Sequence, residues 1–356
     1  MQRVLVTGAG GSAGNNVCWS LRVSKEGKNL VLGGTDSDRT SLELNGWIDN
    51  AYQLPPANSL RYLSKLNDII RGDDVELVYP QPDSEVGRLS KDRDNVKARM
   101  FLPDHRTVDI CQDKYVALVK WSEQDLRKKP IVLSPRSRNL KKLAKEIDFP
   151  CWVRARHGAG GSLSCLAKSW ASVEYWIDYH WSERLRTDFV VEEYLPNRDY
   201  CFMSIWNGGT LVTSMARERL SWVGHRIDGA GGTSKLNRVV HSDKVNNAAV
   251  AAIRAISDRP HGIFCVDLKE DRKNVPRPTE INCRFTTNVH YLTLASLKMG
   301  RPAWNFPWIA AKVALGEKIP GCKALDALPI GLWFTKNTDM GFTMVKDNHW
   351  RAKGFS

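Results

Sequence analysis

The sequence predicts an α/β protein that opens on a doubly wound parallel sheet and continues into an α+β region of antiparallel strands. Three observations carry this. Residues 3–7, "RVLVT", are an apolar run leading into "GAGGSAGNN" and then the helical "VCWSLRV", the strand, glycine turn and helix that begin a βαβ unit. Strands and helices then alternate to about residue 110. Beyond residue 111 the texture changes, and strands follow one another through glycine turns.

In order, "NLVLGGTDSD" supplies a second strand ending in acids, "ELVYPQPDSEVGRLS" a strand and helix, and "TVDICQDKYVALVKW" another strand and helix. "SPRSRNLKKLAKEIDF" reads as a helix, followed by strands at 151–155 and 163–168 that a glycine loop joins into a hairpin. "WASVEYWIDYHW" has helical spacing, which places its aromatic residues in a core. "DFVVEEYL", "DYCFMSIWNGGTLVTSMARERL", "GIFCVDLKED" and "RPTEINCRF" are successive strands, with "NGG" a hairpin turn. "HSDKVNNAAVAAIRAIS" is a helix capped by Ser242, and "PAWNFPWIAAKVALG" one closed by Gly316. There are no repeats, and the last thirty or so residues carry no readable motif.

Composition narrows the class. No stretch approaches the roughly 20 apolar residues of a membrane span, and the start, "MQRVLVTGAGG", lacks the pattern of a signal peptide. A soluble, cytoplasmic protein is expected. The eight cysteines show no C-x-x-C pairing, which argues against a zinc site and a disulfide scaffold. A formal charge of +13 attracts phosphate, carboxylate or nucleic acid without choosing among them. The basic residues of "LRKKP", "RSRNLKKLAK" and "ARERLSWVGHR" are equally compatible with solvated faces.

Several motifs carry chemistry. The first glycine cluster, "VLVTGAGGSAG", invites a dinucleotide reading and looks like the opening of short-chain dehydrogenases, but no tyrosine has a lysine four residues on. A structural turn near a ligand cleft is the better reading. In "CWVRARHGAGGSLSC", Arg154 and Arg156 alternate before a loop containing Gly158, Gly160, Gly161 and Ser162. Backbone N–H groups and a guanidinium together suit a lid over polyphosphate. "VVEEYLPNRDY" brings Glu192, Glu193, Tyr194, Leu195 and Asp199 to a strand end, where acids can accept hydrogen bonds from a nucleoside or simply face solvent. Asp267 in "FCVDLKED" and Glu280 and Asn282 in "TEINCR" fall on consecutive strands, so antiparallel pairing would gather three hard oxygen donors suited to magnesium. Arg284, two residues further along, could neutralise a transferring phosphoryl group. Arg217 and Arg219 alternate on a strand before a second glycine run, "DGAGGTS" at 228–234, where both could bind a substrate carboxylate or make surface ion pairs.

The order and spacing of these pieces resemble the ATP-grasp superfamily from about residue 111 to 318, most closely the synthetase halves of the large carbamoyl phosphate synthetase subunit and related carboxylate–amine ligases. "EINCR" matches E-x-N-P-R, "VRARHGAGGS" the basic residue and glycine lid, "VVEEYLPNRDY" the hinge, and "CQDKYVAL" the D-K segment, which places Lys114 on a nucleotide phosphate. Cys283 and Ala155 stand where proline is usual, and Asp199 where glutamate is.

The resemblance implies a Rossmann-like pre-ATP-grasp domain over 1–110, a small lid subdomain over 111–188, a large subdomain with the metal site over 189–325, and an extension over 326–356. It implies ATP and Mg2+, with Mn2+ able to substitute, and Asp267, Glu280 and Asn282 as metal ligands. Arg284, Arg217 and Arg219 would serve the reaction, and Lys114, Arg154, Arg156, the glycine loop and the 192–199 segment would hold ATP. The expected activity joins a small or tethered carboxylate to an amine through an acylphosphate, in a homodimer. Two other classes stay open at this point: an NAD(P)-dependent oxidoreductase, and a basic nucleic-acid-binding protein on a degenerate nucleotide fold.

Overall fold

The computed structural model describes residues 2–25, 27–43, 45–134, 144–158, 161, 163–183, 185, 187–223, 232–337 and 341–346. Among them the strands form three sheets. The first comprises β1 (Gln2–Thr7), β2 (Leu30–Asp36), β3 (Asn50–Gln53), β4 (Leu77–Tyr79) and β5 (Arg99–Met100), all parallel in the order β3-β2-β1-β4-β5. Helices α1 (Ser12–Arg22), α2 (Arg39–Glu43), α3 (Tyr62–Gly72) and α4 (Asp83–Lys91) alternate with these strands. This is the doubly wound start expected from the alternation.

The first glycine cluster is a structural turn. Gly8 has φ +61°, and a Cβ there would lie 2.3 Å from a carbon of the Pro82 ring. Only glycine tolerates both the backbone conformation and the approach. Asp36, at the end of β2, turns its carboxylate onto this loop and accepts from Gly10 N–H at 3.0 Å. The close seating of Gly8 on Pro82 also fixes the start of α4, and with it Asp83.

One expected element is corrected. "TVDIC" is not a strand: α5 (His105–Gln112) and α6 (Lys114–Ser122) are two capped helices in succession. Asp104 caps the first by accepting from Thr107 N–H at 2.9 Å. Asp113 caps the second by accepting from Tyr115 and Val116 N–H at 3.1 and 3.2 Å. Val108 and Cys111, three apart, both face the core, so the helical period outweighs the β-branched composition.

The four-stranded sheet, β6-β9-β7-β8, comprises β6 (Ile131–Leu133), β7 (Cys151–Ala155), β8 (Ser164–Ala167) and β9 (Phe189–Glu193). β7 and β8 are the expected glycine-loop hairpin. α7 (Trp170–Ser182) covers it with Val173 and Ile177, making a core of its own. Trp170, Trp176 and Trp181 pack against that core, but Tyr175 and Tyr179 are exposed, so the aromatic residues of this helix do not all turn inward. The helix expected over "SPRSRNLKKLAKEIDF" falls largely outside the described residues.

The seven-stranded antiparallel sheet, β14-β13-β10-β11-β12-β15-β16, is built from β10 (Asp199–Asn207), β11 (Thr210–Trp222), β12 (Ser234–Val240), β13 (Gly262–Glu270), β14 (Pro276–Asn282), β15 (Leu332–Asn337) and β16 (Gly341–Lys346). The "NGG" turn joins β10 to β11 with Gly208 and Gly209 at positive φ. α8 (Asp243–Arg254) is capped by Ser242. Packed on the sheet's other face are α9 (His290–Met299) and α10 (Phe306–Leu315), the latter stopped by left-handed Gly316. β15 and β16, from the stretch without a readable motif, extend the sheet beyond β12. One core joins Val4 and Val6 of the parallel sheet to Met203, Cys265, Tyr291 and Ile309, so the two large sheets share buried surface. No helix among the described residues is long and apolar enough to cross a membrane.

A carboxyl group is buried in α4 below the glycine turn. Burial pushes Glu85 from an ordinary 4.5 up to about 7, opposed by the Thr7 and Tyr62 hydroxyls and reinforced by the Asp36 carboxylate. The fold therefore favours the protonated form, and stability is lost as pH rises through about 7. The difference is worth about 3 kcal/mol when the group is fully ionised. Thermal unfolding of the native protein should show a lower midpoint at pH 8.5 than at pH 6, and Glu85→Gln should flatten that dependence.

Candidate active site

Between the four-stranded and seven-stranded sheets lies a cavity of about 420 Å³, within the usual range for small-molecule sites. Its floor follows from strand register. Asp267 of β13 pairs directly with Glu280 of β14, and Asn282 lies two residues further along. Residues facing each other across a ladder share a face, so the three expected oxygen donors do converge. All three line the cavity. Ile281, Cys283 and Phe285 alternate with them and are buried in the cores. Cys283, in the position where proline is usual, meets the Cys111 thiol there.

Burial raises the Glu280 carboxyl above its ordinary range, against the pull of Lys114 and Arg154 and with the repulsion of Asp267 and Asp83. Lys114 is lowered, chiefly by burial, with Glu280 the largest opposing charge. It begins α6, and its N–H donates to Arg156 O at 3.1 Å while its Nζ donates to Gly158 O. This ammonium therefore sits between the glycine loop and the acids.

Arg154, on β7, donates to Thr279 O at 2.7 Å and pairs with Glu192 at 2.7 Å; Glu280 lies 3.9 Å from it. Glu192 is buried and shared with Arg127, whose Nη2 is 2.8 Å away. Arg127 also pairs with Glu193 at 3.0 Å and donates to Pro278 O at 2.7 Å. Both hinge acids line the cavity, but their carboxylates are engaged by arginines. Tyr194 and Leu195 line it beside them.

Arg156 differs from its expected place beside Arg154. It does not line the cavity, because Asp113 grips it at 2.7–3.0 Å and Asp188 lies 3.3 Å away. These contacts tie the chain just after β7 to the cap of α6. Gly158 and Gly161 line the cavity at positive φ; Gly160 and Ser162 lie outside the described residues.

On the other side, Arg219 lies between Asp199, to which it donates, and Asp267 at 3.1 Å, and stacks on Trp222. Burial raises the Asp199 carboxyl, which Arg219 and Lys269 oppose. With both acids on it, Arg219 is suited to steadying Asp267. Arg217 also lines the cavity and has no acidic partner among the described residues. Of the "DGAGGTS" run, 228–231 lie outside the described residues, and Gly232, Thr233 and Ser234 line the wall.

Arg284 is held by a residue the sequence reading did not single out. Asp83 accepts from its Nε and Nη2 at 2.8 and 2.7 Å, and Phe285 O accepts from Nη1 at 3.2 Å. Arg127 was missed too, its "LRKKP" segment having the composition of a solvated face. An acid opening a helix at the carboxyl end of a parallel strand was the available signal for Asp83. Arg127 offered none.

Neither a protein-family model nor a curated protein sequence matches the chain. Solved structures do, and they show that the fold is ATP-grasp. An L-amino acid ligase from Bacillus licheniformis superposes with a TM-score of 0.69 at 12% identity, covering 94% of this chain and 79% of its own. A biotin carboxylase from Campylobacter jejuni, in a β,γ-ATP complex, gives 0.66 at 16%, covering 94% and 75%. The biotin carboxylase domain dimer of a Hydrogenobacter thermophilus 2-oxoglutarate carboxylase, complexed with MgADP, ADP and bicarbonate, gives 0.65 at 14%, covering 94% and 74%.

The Arg127–Glu192–Arg154 bridge yields a stability test. Removing the charge of Glu192 leaves two guanidiniums buried without their shared partner, a loss of about 3–5 kcal/mol. Urea unfolding of Glu192→Gln should show a midpoint lowered accordingly, whereas a native-like midpoint would show the bridge to be dispensable.

Proposed function

We propose that this protein is an ATP-dependent ligase that joins a carboxylate to an amine through an acylphosphate. The observation that carries the reading is the direct cross-strand pair of Asp267 and Glu280, with Asn282 beside it, facing Lys114 and Arg154 across one cavity. Two carboxylates and an amide are hard oxygen donors, too few to enclose a cation but suited to Mg2+, or Mn2+ in its place, when substrate phosphates and water complete the shell. Bound there, the ion would neutralise charge on the β- and γ-phosphates.

The protein's own groups supply the rest. Lys114 and Arg154 bind phosphate oxygens under the glycine loop, while Tyr194, Leu195 and the backbone of the hinge border the nucleoside. A substrate carboxylate oxygen attacks the γ-phosphorus, the bond to the β-phosphate oxygen breaks, and ADP leaves. Arg284 stabilises the charge that develops. Of its five N–H donors, three are engaged by Asp83 and Phe285, which orients the guanidinium and leaves two for oxyanions. The amine then attacks the acyl carbon and expels phosphate, a leaving group that the free carboxylate lacks. A nicotinamide reading of the short-chain dehydrogenase kind loses support because no tyrosine of the chain has a lysine four residues on.

ADP release should require Mg2+ and a carboxylate, and hydroxylamine should trap the acylphosphate as a hydroxamate. Glu280→Gln and Asn282→Ala should each lower ADP formation by at least about 100-fold; unchanged rates in both would remove the metal assignment. Asp83→Asn should lower kcat by about 10- to 100-fold with little change in KM for ATP, since it disturbs orientation rather than nucleotide binding. Partial recovery in Asp83→Glu would separate this role from a general loss of structure.

A further inference from the structure

Arg217 stands apart from the other buried arginines of the cavity. Arg127, Arg154, Arg219 and Arg284 each have a carboxylate within 3.1 Å. Arg217 is 2% exposed, and among the described residues its contacts are neutral. Its Nη1 donates to Ser234 Oγ at 3.1 Å and to Asn237 Oδ1, and Asn288 Nδ2 donates to the same Ser234 Oγ at 2.7 Å. Its Nε is buried with no acceptor among the described residues, as is the Asn237 amide nitrogen. Both contacts fall on Nη1, so the Nε–Nη2 edge, which a carboxylate can grip with two hydrogen bonds, meets no acceptor there.

A buried guanidinium without a counter-charge is costly, and arginine cannot relieve the cost by releasing its proton. Among the described residues no carboxylate contacts Arg217. Burial, then the positive charges of Lys336 and Arg217, push His290 down to about 3, so that imidazole is neutral in a positive field.

Register fixes where this cation stands relative to the chemistry. Glu280, Asp267, Cys201 and Arg217 form one row across β14, β13, β10 and β11. They share the cavity face, and two strand spacings put the Arg217 backbone about 10 Å from that of Asp267. We infer that Arg217 binds a second carboxylate of the acid substrate, which is therefore a dicarboxylic acid: one end is activated at Arg284 and the metal ligands, and the other is anchored on Arg217. This inference rests on the ligase reading for the fate of the first carboxylate, but the anchoring can be measured by binding alone.

The probes are matched pairs in which one carboxylate is replaced by its amide: succinate and succinamate, glutarate and glutaramate, L-aspartate and L-asparagine, L-glutamate and L-glutamine. Calorimetric binding to the full chain, with ADP and Mg2+ present, should favour at least one diacid over its monoamide by 30-fold or more. Arg217→Lys, which keeps the charge but loses the fork, should reduce that preference to a few-fold, and Arg217→Met should abolish it. ADP affinity should stay native in both variants, which also reports their folding. Equal binding of diacid and monoamide in every pair, or an undiminished preference in Arg217→Lys, would overturn the anchor. If the preference is found but no acid stimulates ATP turnover, the anchor stands and the ligase reading falls.

Discussion

Burying a positive charge requires a partner, and the cavity is organised by how its arginines meet that requirement. Arg127 has Glu192 and Glu193, Arg154 has Glu192, Arg219 has Asp199 and Asp267, and Arg284 has Asp83. These pairs determine which side chains can move and which oxygens remain available. A carboxylate shared by two guanidiniums, such as Glu192, serves the architecture; one offered to the cavity from a paired strand, such as Glu280, can serve a ligand. In low-dielectric surroundings this sorting is enforced by energies of several kcal/mol per unpaired ion.

The same pairs join the three sheets. Arg127 and Arg154 tie the hinge acids of β9 to carbonyls of β14, so the small sheet is fastened to the strand that carries Glu280. Asp83 reaches from the parallel sheet to Arg284, and its position depends on the glycine turn that seats Pro82. The opening "GAGG" thus contributes to the site as a geometric support for an acid some seventy residues later, though it resembles a dinucleotide signature in sequence.

Much of this was legible because it is periodic or local. Alternation in "TEINCR" placed Glu280, Asn282 and Arg284 on one face, and antiparallel succession brought Asp267 opposite. Ser242 and Gly316 marked helix ends by their own chemistry. What could not be read depended on long-range pairing. Arg156 follows the same alternation as Arg154, yet Asp113 and Asp188 capture it, and nothing in the spacing of "VRARH" distinguishes the two. "LRKKP" has a surface composition, yet its first basic residue is buried because two consecutive acids sixty-five residues away need a cation. "TVDIC" is rich in β-branched residues, but a capping aspartate and a core-facing three-residue spacing make it helical.

This contrast explains why, in the proposed site, the end assigned to the nucleotide is easier to read than the end assigned to the acceptor. Phosphates and their metal demand a fixed set of hard donors, which a strand register can supply at regular spacing. An acceptor is recognised by whatever the remaining wall leaves unpaired, and that depends on subtraction across the whole structure. Arg217 and Arg219 are two apart on β11 and equivalent in sequence, but Arg219 has two acids and Arg217 has a hydroxyl and an amide. The charge left over once the pairs among the described residues have formed is what an acidic substrate would meet.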